Sequence, residues 1–278
     1  MLQTKIGLVD TTGRIAPEKM TAAAAALDIQ VTRDLPSYWK VSATVSYLPD
    51  HRNIPQGVWP VQIVKSLPPG EGGFHLTKHN QPYAKVILTP GSDEWTIDAS
   101  HEIVEMLVDP NGNRLQPATA IKISGNGVTD DPSSGKFEYL VEACDPCEDN
   151  SHAYNINGVM VSDFLTPHFY DAQASADVRY SFTGALTRPR ELLKGGYISF
   201  VDPRSFEMKQ ILWVDAGPPQ MRSLGPVQGA SLRAFVEAST LQHVRDKRKG
   251  ASKSVLKSRE KYRKSLNAAA LVRAKHYV

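Results

Sequence analysis

Apolar positions change their period several times along the chain, and each change marks an element. Lys5-Ile6-Gly7-Leu8-Val9-Asp10 is a short apolar run closed by charge and predicts a first strand. Pro17 opens a helix that the run Ala22 to Ala26 propagates, since alanine carries no penalty in a helix interior. Trp39 to Leu48 alternates, with Val41, Ala43, Val45 and Tyr47 on one face, and predicts a strand. Val58 to Leu67 predicts another, in which Pro60, lacking an N–H, points to an edge strand or a bulge. Residues 68–73 predict a loop, and Tyr83 to Thr89 a further strand.

The period then switches to helical. Ile97, Val104, Leu107 and Val108 are spaced for one helix, with Asp98 or Ser100 as its cap and Pro110 followed by Asn111-Gly112-Asn113 as its stop. Phe137 to Val141 is strand-like, Tyr154 to Val159 predicts a hairpin, and Val161 to Pro167 a short closing segment. Tyr197 to Pro203 and Met208 to Val214 predict two strands between Gly195-Gly196 and Gly217-Pro218-Pro219. From Gly229 the pattern is helical again, with Leu232, Phe235, Val236 and Ser239 on one stripe. After Gly250-Ala251-Ser252 it resumes with Val255, Leu256, Tyr262, Leu266, Ala269 and Val272 among many cations. The expected architecture is α+β: a main domain with a mixed sheet over 1–170, a small β module over 171–229, and a basic, mostly helical tail over 230–278.

Composition changes this picture in one respect. A chain of 278 residues with 41% apolar side chains can bury a real core, and no apolar run approaches membrane-spanning length. Two cysteines do not make a disulfide scaffold, and Met1 to Val9 lacks a secretory pattern, so residence in the cytoplasm is the expectation. The net charge of +3, however, conceals an acidic body and a basic end. Residues 230–278 carry 13 Lys and Arg against three acidic side chains, net +10, leaving −7 for the rest. Arg245, Lys247, Arg248, Lys249, Lys253, Lys257, Arg259, Lys261, Arg263 and Lys264 form the expected polyanion-binding stretch, for nucleic acid or an acidic protein surface. The alternative is a solvated helix kept soluble by its lysines.

The chemistry concentrates in Ser100-His101-Glu102-Ile103-Val104-Glu105-Met106-Leu107-Val108-Asp109-Pro110. His101 and Glu105, four residues apart, project from one face of a helix and suit a shared divalent cation. Glu102 stands where the related His-Glu-x-x-His motif keeps the general base that activates a metal-bound water, and Glu105 replaces the second histidine. The bland alternative is a surface helix whose His and Glu face water. A second acidic segment, Phe137 to Glu148, carries Glu142, Asp145 and Glu148 at intervals of three beside Cys144 and Cys147. Glu142 is the favoured third ligand because it sits nearer the end of the apolar run, with Asp145 as the other choice. Cys144 and Cys147 have no second pair to complete a thiolate site, although a mixed site with His152 is conceivable, and read as buried thiols. His75, His79 and His168 are spare potential ligands, each more often a surface residue.

Three motifs in order, Ser100 to Pro110, Glu142 to Pro146 and Ser162 to Pro167, resemble those of a group of zincin-like, His-Glu-x-x-Glu metallopeptidase-type proteins of bacteria and their phages. The resemblance spans residues 1–170. It implies a zinc-dependent hydrolase, peptidase-like, with Glu102 as base and His101, Glu105 and Glu142 or Asp145 as ligands. The rival reading is a phage particle component or assembly factor that keeps the zincin scaffold without the reaction, in the host cytoplasm or the virion, which the basic arm on an acidic body would fit. So carboxylate-rich a ligand set is harder than an all-histidine one, and calcium or manganese would compete with zinc.

Overall fold

The computed structural model describes residues 3–68, 72–213, 217–229 and 231–239; the predicted polyanion-binding stretch from Arg245 to Lys264 lies outside them. The chain opens with strand β1 (Thr4–Asp10) and helix α1 (Pro17–Ile29). Pro17 at the start of α1 presets its φ, and the buried positions Met20, Ala23, Ala24 and Leu27 recur at helical spacing. A single wide turn over Gln30–Asp34 leads into the short helix α2 (Pro36–Trp39). Lys40, at φ 56°, ends that helix in the left-handed region, so the predicted strand from Trp39 begins only as β2 (Ala43–Tyr47). Strands β3 (Val58–Val64), β4 (Gly73–Lys78) and β5 (Gln81–Ile87) follow, then helix α3 (Trp95–Val108).

These five strands form one mixed sheet in the order β2-β1-β3-β5-β4. The first four are parallel, and β4 runs antiparallel to β5 at the edge. Alternate residues of the central strands, Ile6 and Leu8, Val61 and Ile63, Ala84 and Val86, share one core with Leu27 of α1, with Val31 just after it and with Ile103 and Val104 of α3. Pro60 departs from expectation: β3 is central, not an edge. Pairing of β3 with β5 starts only at Val61, so Pro60 needs no donor on that side.

β4 was not legible in the sequence, where its first residue ended a predicted loop. It is created by a two-residue turn, His79-Asn80, with both φ positive (51° and 59°), the geometry that a tight hairpin demands.

The rest of the chain builds β6 (Leu115–Thr119), the hairpin β7 (Ile121–Ser124) and β8 (Gly127–Asp130), and β9 (Lys136–Leu140). A second hairpin, β10 (Tyr154–Ile156) and β11 (Val159–Val161), turns through Asn157-Gly158, as expected. Last come β12 (Tyr197–Asp202), β13 (Glu207–Leu212) and β14 (Gln220–Pro226). The second five-stranded sheet, β14-β13-β12-β9-β6, is antiparallel throughout. It takes strands from both sides of residue 170, so the predicted 171–229 module is not a separate sheet: its three strands extend β9 and β6. Stacked Phe137 and Phe200, with ring centroids 4.3 Å apart, mark that junction. The described residues are therefore mixed α+β, with two five-stranded sheets, two two-stranded hairpins and few helices.

The final described element is a helix over 232–239. Arg233 N donates to Gly112 O and Leu232 N to Asn113 Oδ1, tying it to the loop after α3. Val236 is buried with Leu140 and Met208. The start of the predicted tail thus belongs to the body.

Two predictions follow from this packing. A chain ending after residue 239 is expected to be more stable than one ending after 229 by about 2 kcal/mol or more, read by denaturant unfolding, because the shorter chain loses Val236 from its core. Equal stability of the two would dismiss the docking.

The other concerns Asp202, which accepts bonds from Arg204 N, Nε and Nη2 and from Lys209 Nζ at 2.9–3.1 Å. The Arg204 guanidinium, above all, holds its carboxyl well below the usual range despite burial. A lowered folded pKa contributes stability in full above the unfolded value of about 3.9, and that stability is lost as pH falls through the folded value. Asp202→Asn is therefore expected to cost about 1 kcal/mol at neutral pH, the bonds being partly screened by solvent, and less near pH 2. A deficit that does not shrink in acid would rule out the charge as its cause.

Candidate metal centre

Thirteen of the 14 residues of α3 are buried, Asp98 being the exception. A helix covered on all sides cannot leave His101, Glu102 and Glu105 to water, which removes the surface-helix alternative. Its caps also differ from expectation: Glu94 precedes the first turn without a side-chain cap, and Asp98 and Ser100 lie inside. Ser100 instead fixes the rotation of the helix. Its Oγ donates to Gln30 Oε1 at 2.7 Å and accepts from Ser162 N at 2.9 Å, while Gln30 Nε2 donates to Ser162 O. That lock leaves His101 and Glu105 on the opposite flank, with Nε2 and Oε2 3.3 Å apart.

The second acidic segment is brought there by the irregular backbone that follows β9. After β9 the chain crosses between the two sheets, held by Val141 N to Arg114 O and Leu165 N to Ala143 O. Val141, Ala143 and Cys144 enter the main core, while Glu142, between them, and Asp145, at the start of a 3-10 turn, stand beside Glu105 of α3. Cys144 N donates to Glu105 Oε1 at 3.0 Å, and Asp145 Oδ1 stands 3.2 Å from His101 Nε2. His101, Glu102, Glu105, Glu142 and Asp145 are all brought together, with partly buried Glu148 beside Asp145 and His101. The geometry separates the two third-ligand candidates: Asp145 approaches His101, whereas Glu142 Oε2 faces a guanidinium at 2.7 Å.

Two of the centre's residues were assigned elsewhere by the sequence. His75, in edge strand β4, is buried, and its Nδ1 lies 2.9 Å from Glu102 Oε2 and 3.6 Å from Glu105 Oε2. Glycine makes this approach possible: a Cβ on Gly73 would fall 2.8 Å from Glu102 Oε1. Arg233, counted with the basic tail, is 3% exposed. Its Nη1 reaches Glu142 Oε2 at 2.7 Å, Asp145 Oδ2 at 3.3 Å and Glu105 Oε2 at 3.7 Å, and its Nη2 reaches Glu237 at 3.4 Å. The available signal for Arg233 was its place on the apolar stripe of Leu232 and Val236; for His75 it was the glycine pair just before it.

Charge in the centre is unbalanced. Five carboxylates (Glu102, Glu105, Glu142, Asp145, Glu148) meet one guanidinium and two imidazoles. Burial pushes Glu142, Asp145 and Glu148 above the usual carboxylate range, against the pull of Arg233. Burial opposes the charged forms of His101 and Glu105 too, but here their mutual attraction wins: Glu105 is held low, and His101 is raised well above an ordinary imidazole. Glu105 Oε2, Glu142 Oε1 and Asp145 Oδ1 are buried and accept no hydrogen bond. Orphaned buried oxygens are expensive, and three around one imidazole nitrogen and one arginine form a receptor for positive charge.

The other sequence candidates fall outside. Cys144 and Cys147 are free and buried, and burial pushes both thiols well up, which keeps them protonated. His168 is a surface residue paired with Asp171 at 2.8 Å, and His79 forms the β4–β5 turn. No helix among the described residues is long and apolar enough to cross a membrane. No protein-family model, curated protein or solved structure matches the chain, so its function rests on the geometry of this centre.

Proposed function

We propose that the protein is a metal-dependent hydrolase on a zincin-like scaffold, with a zinc ion held by His101, Glu105 and Asp145. One observation carries the reading. His101 Nε2 is flanked by Glu105 Oε2 at 3.3 Å and Asp145 Oδ1 at 3.2 Å, and neither oxygen accepts a hydrogen bond. Ligands bound tetrahedrally at about 2.0–2.1 Å lie about 3.3–3.4 Å from one another, so both separations from His101 suit a shared cation. A bound zinc ion supplies Lewis acidity and a water of lowered pKa.

The chain's own residues do the rest. Glu102 is the base. His75 Nδ1 holds its Oε2, which leaves Oε1 to take a proton from water. Arg233 and the imidazoles offset the charge of the remaining carboxylates. A peptide substrate is favoured by β4, which is an edge strand whose residues Gly73 and His75 touch Glu102. An edge position offers an extended peptide a strand to pair with. The rival scaffold reading shares the metal but needs no base beside it, so there Glu102 serves only its bond to His75.

The tests separate these readings. His101→Ala or Glu105→Ala is expected to reduce bound metal from about one ion per chain to none and to lower the melting temperature, since binding free energy adds to folding. Undiminished metal in both variants would refute the ligand assignment. Glu102→Gln is expected to keep the ion and lower peptide hydrolysis by about 10²–10⁴-fold, because an amide accepts no proton. A wild-type protein that binds metal yet cleaves nothing in a peptide library favours the scaffold.

A further inference from the structure

The carboxylates of the centre divide between two cation positions, and one of them already contains positive charge. Asp145 points Oδ1 at His101 (3.2 Å) and Oδ2 at Arg233 Nη1 (3.3 Å). Glu105 Oε2 likewise lies 3.3 Å from His101 Nε2 and 3.7 Å from Arg233 Nη1. Both residues therefore bridge two places: one on the His101 side, and one bounded by Glu105, Glu142 and Asp145, whose ligand oxygens lie within 4.8 Å of one another. In this second place Glu142 is 5% and Asp145 1% exposed, and Glu142 Oε1 accepts no hydrogen bond although Glu142 Oε2 meets the guanidinium at 2.7 Å.

We propose that Arg233 is the resident cation of a second metal position formed by Glu105, Glu142 and Asp145, so that the chain takes one divalent ion where its carboxylates are arranged for two. The inference rests on the hydrolase reading for the first ion. It goes beyond that reading by giving Glu142 a partner other than the metal and Arg233 a role that the charge of the tail does not explain. Guanidinium suits the position because it is always charged, weakly hydrated and forked toward carboxylates. With the guanidinium gone, three carboxylates and no imidazole make an all-oxygen site, the donor set that manganese or calcium takes. Two cations at bridged positions repel, so the guanidinium and a second ion exclude each other.

The experiment counts Mn²⁺ bound to the full chain by equilibrium dialysis. Wild type is expected to bind one ion and Arg233→Met two, while Arg233→Lys, which keeps the charge, stays at one. The melting temperature of Arg233→Met should rise with Mn²⁺ by more than that of wild type, because two ions then stabilise the fold. Arg233→Met with a single ion overturns the proposal, and so does wild type with two. If Arg233→Met is unfolded without metal, saturating Mn²⁺ is expected to fold it, and failure to do so also overturns the proposal. A wild type that binds neither Mn²⁺ nor Zn²⁺ overturns the hydrolase reading together with this one, whereas a single Mn²⁺ in both proteins overturns only this one.

Discussion

Glu105 is the residue on which the centre depends. It has no exposure to solvent, sits on a helix covered on all sides, and must ionise or be neutralised where water cannot help. Its two oxygens are used differently. Oε1 accepts the backbone N–H of Cys144, which draws the crossing segment onto α3, and Oε2 faces His101, His75 and Arg233. One carboxylate thus gathers four segments of chain: α3, edge strand β4, the link after β9 and the 232–239 helix. Removing it would leave three positive or protonatable groups facing one another in a buried space, which is far costlier than losing one surface ion pair.

The motif helix was legible because its information is local. Spacing of four places His101 beside Glu105 whatever the rest of the molecule does, and Glu142 and Asp145 stand close together in sequence just past the apolar run of β9. What local pattern cannot express is which distant strand lies alongside. His75 resembles any isolated histidine until β4 pairs with β5 at the edge of the sheet, and that pairing depends on two positive-φ residues in a turn with no glycine. Arg233 failed for a different reason. Counted with 12 other cations it looked like part of a solvated arm, yet the apolar stripe of its own helix, Leu232 and Val236, already pointed inward. Averaging charge over a window erased the one position that mattered. Pro60 shows the same limit in a strand: the missing donor was read correctly, but a sheet tolerates it wherever a neighbour has not yet begun to pair.

The division of the chain follows from similar physics. The boundary near residue 170 was drawn where the resemblance carried by the three motifs ends. Antiparallel strands, however, can add to a sheet from far along the sequence, and β12 pairs with β9 across the predicted boundary. The centre therefore sits at the joint of two sheets, where the crossing segment belongs to both.

The sequence separation of Arg233 from its partners has a consequence for synthesis. Arg233 lies 88 residues beyond Asp145. At translation rates of about 5–20 residues per second, about 4–18 s separate the making of the acidic cluster from the making of its arginine. Through that interval the nascent chain holds β4, α3 and the Glu142–Asp145 segment without the guanidinium. Until then the carboxylates lack the guanidinium that offsets them in the finished fold, so protonation or another cation has to stand in for it.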